Sequence, residues 1–215
     1  MKGAAAVKPS FPVLGALLAG GQSSRMGGGD KTLRPLGGKP ILDRVVDRVR
    51  GQTTDLILNA NGDPARFSRL NLPVVADVVE GFAGPLAGIL TALEWCRKER
   101  RKIEWVASLA TDAPFLPMDL VARLADAVAT DAADVACAKS GERTHPVFAI
   151  WPVRLAGDLR RALVEEDMRK IDRWTERYRV AHVEFDCQPV DPFFNINRPE
   201  NLAEAETLLA LEGAA

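Results

Sequence analysis

Blocks of apolar and polar residues alternate along the chain, and their periods distinguish strands from helices. Val13 to Leu18 is a continuous apolar run that stops before Gly20, which predicts a buried strand followed by a loop. From Pro40 onward, apolar side chains recur at helical spacing and charged ones occupy the opposite face. The apolar face is formed by Ile41, Leu42, Val45, Val46 and Val49. The first predicted elements are therefore a strand, a glycine-rich loop and an amphipathic helix.

The same change of period repeats through the rest of the sequence. Further strands are predicted at 55–61, 72–77, 103–112, 133–138, 145–151 and 180–185, and further helices at 84–98, 118–129, 153–165, 168–177 and 199–211. Such an alternation predicts an α/β sandwich with a mostly parallel sheet and helices on both faces. We expect residues 1–12 to form a flexible N-terminal extension and residues 13–215 to form a single domain.

Composition and charge narrow the class of partner. The 215 residues carry a formal net charge of −1, which does not favour broad binding to nucleic acid or to an anionic membrane surface. No run reaches the ~18 apolar residues that a membrane-spanning helix needs. The three cysteines, Cys96, Cys137 and Cys187, lack the spacing of a disulfide framework or a zinc site. These features predict a cytoplasmic protein.

Polar residues follow several of the predicted strands. The glycine loop at Gly20, then Asn59, Asp77 and Asp112, all come at or just after strand ends. In a parallel sheet these ends lie at one edge, and ligands bind at that edge. The sequence therefore predicts a ligand site to which all four positions contribute.

The loop in LLAGGQSSRMGGGDK, residues 17–31, is suited to hold an anion. It matches neither the dinucleotide fingerprint nor the P-loop motif. The glycines at 20–21 allow the backbone N–H groups to approach a ligand, and the serines at 23–24 add hydroxyl donors. Arg25 adds a planar guanidinium that can bind an anion through two hydrogen bonds, and Lys31 adds a compact ammonium charge. This combination suits a triphosphate, and the alternative is a flexible turn with surface charges.

The motifs together resemble those of the molybdenum cofactor guanylyltransferases. The matching stretches run in order from Leu14 to Leu209 and are LLAGGQSSRMGGGDK, LGGKPILDRV, LILNAN, VVADVVEGFAGPLAGIL, ATDAPFLP, GERTHPVFAI and FFNINRPENL. The resemblance implies a Rossmann-like three-layer α/β/α sandwich and a single nucleotidyltransferase domain at 13–215. It further implies transfer of GMP from GTP to molybdopterin that carries molybdenum, with release of pyrophosphate and with Mg²⁺ as cofactor.

The resemblance also implies nucleotide-binding residues at the strand ends. They are Leu18, Ala19, Gly20, Lys31, Asn59, Asp77 and Asp112. Asp112 would bind Mg²⁺ and would form the catalytic set with Arg25 and Lys31. A carboxylate at Asp77 matches the two adjacent N–H donors of guanine, although contact with the ribose is open as well. The alternatives are a turn residue at Asp77 and an Asx-turn at Asp112 before Pro114.

The pterin half of the site is expected at two later segments. The resemblance implies that His145 and Pro146 face the pterin, together with Asn195 and Asn197. His145 could donate a hydrogen bond to an anionic substrate or be an ordinary strand residue. Asn195 and Asn197 flank Ile196 in an extended stretch, which points both to one side. The alternative for the two asparagines is a pair of turn and N-cap residues before Pro199.

Two other functions compete with this interpretation. One is a related cytidylyltransferase, which would share mainly the first loop. The other is a non-catalytic accessory protein that binds the nucleotide or the cofactor. The expected partners are GTP and molybdopterin, together with cofactor-synthesis proteins and the molybdoenzymes that accept the product.

Overall fold

A seven-stranded sheet forms the centre of the molecule. The computed structural model describes residues 5–19, 31–81 and 84–214. Its strands are β1 (Val13–Leu18), β2 (Pro35–Leu36), β3 (Lys39–Pro40), β4 (Asp55–Asn59), β5 (Val74–Val75), β6 (Trp105–Ala110), β7 (Val135–Ser140), β8 (Arg143–Pro152) and β9 (Val180–Phe185). Its helices are α1 (Ile41–Val49), α2 (Pro85–Glu99), α3 (Leu120–Thr130), α4 (Ala156–Val164), α5 (Ile171–Thr175) and α6 (Pro199–Ala214).

The order of strands in the large sheet is β5-β4-β1-β6-β8-β7-β9, and β2 pairs with β3 in a separate hairpin. Among the described strands of the large sheet, β8 alone runs antiparallel to its neighbours. The chain moves outward from β1 to β4 and β5, and then returns to β6 on the other side of β1. This reversal of direction creates a topological switch point between β1 and β6, where ligands bind in sheets of this kind.

Helices cover both faces of the sheet, which confirms the predicted α/β/α sandwich. The alternating side chains of β1 contribute to two different clusters, because Val13 and Leu17 face one layer of helices and Leu14 faces the other. The first layer contains α1 and α3, and the second contains α2, α4 and α5. All six residues of β1 are buried, as expected for a central strand between two apolar layers.

A third apolar cluster lies beside the main core and joins α6 to the β2–β3 hairpin. Its buried members are Leu36, Ile41, Phe115, Ile196 and Ala205. Gly37, at the turn of the hairpin, has φ +55° and donates its N–H to Glu206 Oε1 of α6 at 2.8 Å. Arg44 of α1 donates to the carbonyl of Leu36 at 2.7 Å. We call this group the α6–hairpin cluster.

Several predicted elements differ from the observed ones. The predicted strand at 72–77 is reduced to Val74–Val75, because the N–H of Asp77 donates to the Asn61 side chain rather than to a neighbouring strand. The predicted helix at 168–177 is reduced to Ile171–Thr175, since Lys170 is extended. The β2–β3 hairpin and a 3-10 run at Pro64–Leu70 were not predicted.

The described part of the N-terminal extension touches the domain. Val7 donates its N–H to the carbonyl of Met118 at 2.9 Å, and the ring of Phe11 lies 5.8 Å from that of Trp105. Across 5–19, 31–81 and 84–214, no helix combines the length and the apolar character needed to cross a bilayer.

Candidate active site

A cleft of about 1040 Å³ opens at the carboxyl ends of the parallel strands. One wall contains Leu18 at the end of β1, Asn59 at the end of β4 and Ala110 at the end of β6. The opposite wall is the first half of β8, from Arg143 to Phe148. The cleft therefore coincides with the topological switch point between β1 and β6, the place that the fold favours for a ligand.

Three distant segments meet at Lys31 inside this cleft. The Lys31 ammonium lies 2.6 Å from Asp112 Oδ2 and 2.7 Å from Asn197 Oδ1. Lys31 opens a 3-10 turn, Asp112 follows β6 and Asn197 precedes α6. The side chains of Lys31 and Asp112 are 18% and 17% exposed, so the ion pair is accessible to a ligand without being freely solvated. The structure thus places the two charged residues on the same side of the sheet.

The backbone of Ile196 fixes the segment that carries the two asparagines. Its N–H donates to the carbonyl of Asp112 at 2.9 Å, and its side chain is fully buried in the α6–hairpin cluster. Because side chains alternate in an extended segment, Asn195 and Asn197 both face away from that cluster. Both line the cleft.

A network of amides holds the carboxylate of Asp77. Asn59 Nδ2 donates to Asp77 Oδ1 at 2.9 Å, and Asn61 Nδ2 donates to Asp77 Oδ2 at 2.8 Å. Asn61 Oδ1 in turn accepts from the backbone N–H of Asp77 at 2.9 Å. Each carboxylate oxygen keeps lone-pair capacity beyond these bonds. Asp77 is consequently an oriented acceptor at the β4 side of the cleft.

Two buried residues in the wall of the cleft hold these groups in place. Thr111 is 3% exposed and donates its hydroxyl to the carbonyl of Leu18 at 3.2 Å, which ties the end of β6 to the end of β1. Gly88 of α2 lies against Asn59, since a Cβ built on it would stand 2.4 Å from Asn59 Oδ1. A side chain at this position of α2 would therefore displace the amide that holds Asp77.

An irregular stretch of β8 shapes the far wall. On β7, consecutive residues Cys137 and Ala138 pair with Ala149 and His145 of β8, so the three residues between them bulge out of the ladder. Pro146 lies within this bulge, where its missing N–H costs no ladder bond. The Val147 carbonyl accepts instead from Ser108 Oγ at 2.6 Å.

His145 stands at the edge of the bulge and is 8% exposed. Its Nε2 atom lies 2.7 Å from Ser140 Oγ, and its ring stacks on that of Phe193 at 4.5 Å between centroids. Burial lowers the pKa of His145 below its ordinary value of 6.5, while the nearby Asp191 carboxylate acts in the opposite direction and Arg143 lowers it further.

The cleft brings together most of the residues that the sequence predicts. Those lining it are Leu18, Lys31, Asn59, Asp77, Asp112, His145, Pro146, Asn195 and Asn197. Ala19 does not line the cleft, but its N–H donates to the carbonyl of Asn59 at 2.9 Å, directly behind it. Gly20 and Arg25 lie outside the described residues, as do the serines at 23–24.

Asp112 is the residue of the cleft on which binding of a divalent cation would depend. Within the described part of the chain no three His, Cys, Asp or Glu side chains gather into a cluster that could hold a metal by themselves. The contact from Lys31 uses Asp112 Oδ2, which leaves Oδ1 for another ligand. Mg²⁺ commonly takes only one or two carboxylates and completes its shell with water and substrate phosphates. A single carboxylate at the mouth of the cleft fits an ion that arrives with a phosphate ligand.

Sequence reasoning missed the residues that support the site. Asn61, Gly88 and Thr111 hold predicted residues in position, and Ser140 and Asp191 do so for His145. The spacing of Asn59 and Asn61 in LILNAN was a sequence signal for Asn61, because residues two apart in an extended segment share a face. Ser140 and Asp191 offered no local signal, since they lie in separate segments.

Comparisons with known proteins show the family of the chain. Residues 15–182 match the model of the MobA-like NTP transferase domain. A molybdenum cofactor guanylyltransferase of Nitrobacter hamburgensis is 56% identical over 202 residues, covering 94% of this chain and 97% of that protein. A protein of the same name from Rhodopseudomonas palustris is 54% identical over 200 residues, covering 93% of this chain and 94% of its own length.

Solved structures extend the likeness to the fold. Molybdopterin-guanine dinucleotide biosynthesis protein A of Archaeoglobus fulgidus superposes with a TM-score of 0.73 at 25% identity, covering 92% of this chain and 99% of that one. A CMP:2-keto-3-deoxy-manno-octonic acid synthetase complexed with CTP shares the fold at 13% identity and a TM-score of 0.70, covering 94% and 99%. With the family model matching most of its length, this chain belongs to the MobA-like NTP transferase family and is a nucleotidyltransferase.

Proposed function

We propose that this enzyme transfers GMP from GTP to molybdopterin, producing the guanine dinucleotide form of the cofactor and pyrophosphate. The observation that carries the proposal is the convergence of Lys31, Asp112 and Asn197 in the switch-point cleft, beside the amide-held carboxylate of Asp77. The names of the relatives that match over nearly the whole chain support the same reaction.

Lys31 and Asp112 would bind the triphosphate end of the nucleotide. An ammonium group has three protons, and Asp112 and Asn197 accept two of them, which leaves one for a phosphate oxygen. Asp112 would hold Mg²⁺ through its available oxygen, and the ion would neutralise charge on the phosphates. Arg25 would add a second cation from the glycine loop. Most of the catalysis is then the positioning and neutralisation of two anionic reactants.

Asp77 would recognise the base. Guanine presents its N1–H and 2-amino group side by side, and a carboxylate accepts from both in parallel. The amides of Asn59 and Asn61 hold the Asp77 carboxylate while leaving lone pairs for such contacts. Cytosine and uracil lack this pair of donors, so a pyrimidine would leave the carboxylate unmatched. This arrangement favours GTP over CTP.

The acceptor would enter along the wall formed by β8 and the 195–197 segment. An oxygen of its terminal phosphate attacks the α-phosphorus of GTP, a new P–O bond forms, and the bond between the α-phosphorus and the bridging oxygen breaks. Pyrophosphate leaves with the electrons of that bond. The phosphate nucleophile is already ionised near neutral pH, so the reaction needs no side-chain base. His145, Pro146 and Asn195 would then position the pterin.

A direct assay tests the proposal. Purified enzyme is incubated with Mg²⁺, molybdopterin and either GTP or CTP, and pyrophosphate and the mass of the product are measured. We expect pyrophosphate and a GMP adduct with GTP, and little of either with CTP. A preference for CTP would identify a cytidylyltransferase. Binding of GTP without pyrophosphate release, across several divalent metals, would identify a nucleotide-binding accessory protein.

The proposed reaction also has a cellular compartment, a domain and partner proteins. We place the reaction in the cytoplasm, within a single domain at 13–215, in exchange with the proteins that make molybdopterin and the molybdoenzymes that use its dinucleotide. The three cysteines are free, which is in keeping with a reducing compartment.

A further inference from the structure

His145 is the end of a chain of hydrogen bonds that begins at Asp191. Ser140 Oγ donates to Asp191 Oδ1 at 3.1 Å, and the same hydroxyl oxygen lies 2.7 Å from His145 Nε2. Asp191 Oδ1 also accepts the N–H of Phe193 at 3.0 Å, which fixes the carboxylate relative to its own loop. The three side chains come from the loop before α6, from β7 and from β8.

With Asp191 ionised and both contacts of the Ser140 hydroxyl acting as hydrogen bonds, the protons along this chain have one arrangement. A carboxylate accepts hydrogen bonds and donates none. The single hydroxyl proton of Ser140 is therefore given to Asp191, and Ser140 Oγ must accept from His145 Nε2–H. In the neutral imidazole the other nitrogen, Nδ1, then carries a lone pair and no proton.

The packing on two sides restrains the orientation of the His145 ring, so that Nε2 stays directed at Ser140. Phe193 stacks on one face with an interplanar angle of 29°, and Phe148 contacts it edge-on at 6.4 Å between centroids. The residue nevertheless lines the cleft. Within the described residues no fully buried side-chain nitrogen or oxygen lacks a partner, and Nδ1 has none there, so Nδ1 keeps accessible surface in a residue that lines the cleft.

The surroundings favour the neutral ring. Burial lowers the pKa of His145, Asp191 opposes that shift and Arg143 reinforces it. Cys137, which contacts the His145 backbone from β7, stays a thiol because burial raises its pKa to about 12. At neutral pH the nitrogen that faces the cleft is therefore an acceptor.

From this geometry we infer that Ser140 and Asp191 are positioning residues that lock His145 as the Nε2–H tautomer, so that Nδ1 accepts a hydrogen bond from an N–H group of the acceptor heterocycle. This inference rests on the proposed function for the identity of the acceptor. It replaces the expectation that His145 donates to an anionic substrate, because a neutral ring locked in this way offers the cleft no proton. The bulge in β8 sets the position of the His145 ring, and the hydrogen bonds from Asp191 through Ser140 make its Nδ1 atom an acceptor.

Nitrogen NMR of the unliganded protein tests the tautomer directly. The chain has two histidines, so spectra of ¹⁵N-labelled wild type and of His182→Gln assign His145 without ambiguity. We expect a protonated Nε2 and an unprotonated Nδ1 at pH 7.5 in the wild type. Asp191→Asn should keep this tautomer, because the Phe193 N–H orients the amide oxygen toward the position of Oδ1 that accepts from Ser140, whereas Ser140→Ala should give a mixture of the two. A protonated Nδ1 in the wild type would overturn the inference, even if no variant folds.

Steady-state kinetics then separate this role from general damage. Ser140→Ala should raise the KM for molybdopterin roughly tenfold, about the effect of one hydrogen bond, and change the KM for GTP less than about twofold. Equal increases in both KM values would contradict the inference. If the enzyme released no pyrophosphate at all, the proposed function would fail, while the NMR result would still report on the Asp191–Ser140–His145 chain.

Discussion

The two halves of the cleft differ in the chemistry of their walls. The half proposed to bind the nucleotide, called the nucleotide half, carries Lys31, Asp112 and Asp77, whose formal charges contact one another or nearby amides. The half proposed to bind the acceptor, called the acceptor half, presents the His145 imidazole packed between phenylalanine rings, with the Asp191 carboxylate set back behind Ser140 and Arg143 on the same wall. Under the proposed function the first half would bind the triphosphate together with Mg²⁺ at Asp112, and the second would orient a heterocycle by the direction of its hydrogen bonds.

The comparison predicts which kinetic constant each half controls. Groups that neutralise charge developing during phosphoryl transfer act on the transition state and so on kcat. Groups that orient a bound heterocycle act mainly on its KM. The variants below test this division, from the largest expected effect to the smallest.

Loss of charge at the centre of the nucleotide half should have the greatest effect. Asp112→Asn and Lys31→Ala should each lower kcat by a factor of about 10² to 10³, because each removes a charged group aimed at the phosphates. Circular dichroism and thermal unfolding should resemble those of the wild type. Lys39→Ala removes a lysine whose partner is Asp47 on the surface, and it is the matched control. Rates within threefold of wild type for either cleft variant would refute the assignment.

A substitution in the wall of the same half should act on nucleotide binding. In Gly88→Ala the new methyl would lie 2.4 Å from Asn59 Oδ1, so Asn59 and then Asp77 must move. We expect the Kd for GTP, measured calorimetrically, to rise by roughly 10- to 100-fold, as one or two buried polar groups lose their partners. Gly157→Ala in α4, where an added Cβ meets nothing within 4 Å, should leave the Kd unchanged. Equal affinities for the two variants would show that Asn59 is not part of the nucleotide site.

The recognition of guanine can be measured with a modified base. Inosine triphosphate lacks the 2-amino group, so wild type should use GTP with a kcat/KM about tenfold higher. Asn61→Ala frees the Asp77 carboxylate on one side and should reduce that ratio to about two- or threefold. Because the ratio compares two substrates of one enzyme, partial unfolding does not affect it. An unchanged ratio would indicate that Asp77 contacts the ribose.

The smallest of these effects should be that of mild acid on the KM for molybdopterin, which reports on the acceptor half. The pKa of His145 is lowered below 6.5 by burial, so the neutral acceptor persists at pH 7 and is lost only as the pH falls through the lowered value. The KM for molybdopterin should rise several-fold between pH 7.5 and 5, with the KM for GTP as an internal reference. His145→Asn places an amide oxygen near the position of Nδ1 and should flatten this dependence. A His145→Asn profile as steep as that of wild type would assign the pH effect to another group.

The same shift in pKa has a consequence for stability. The unfolded chain takes up a proton on His145 at a higher pH than the folded chain does. The free energy of unfolding that His145 contributes is therefore highest above about pH 6.5 and declines as the pH drops toward the lowered pKa of the folded state. Urea denaturation of wild type and of His145→Asn at pH 7.5 and 5.5 measures this difference.

The nucleotide half was predictable because one rule governs it. Asn59, Asp77 and Asp112 lie at or after the ends of parallel strands, and parallel strands bring their carboxyl ends to one edge. The fold class followed from the same alternation of periods. Local sequence also predicted that Asn195 and Asn197 share a side, since alternation in an extended chain needs no knowledge of the tertiary fold.

The acceptor half depends on pairings that local sequence does not determine. The three-residue bulge in β8 sets the position of His145, and its register depends on which residues of β7 it meets. Ser140 and Asp191 are 51 positions apart, so their contact could not be read from a motif. The short hairpin at Pro35–Leu36 and Lys39–Pro40 was not predicted, because a strand of two residues is too short to show an alternation of apolar and polar side chains.

The α6–hairpin cluster links the C-terminal helix to the active site, which matters for any truncation of this enzyme. Trimming the final helix would uncover Leu36 and Ile41, and it would take away the carboxylate of Glu206 that receives the Gly37 amide. Lys31 enters the site immediately before this hairpin, and Ile196 anchors Asn197 from within the same cluster. Deleting a surface helix far along the chain would thus remove support from the Lys31 ammonium group, which the proposed function assigns to the phosphates.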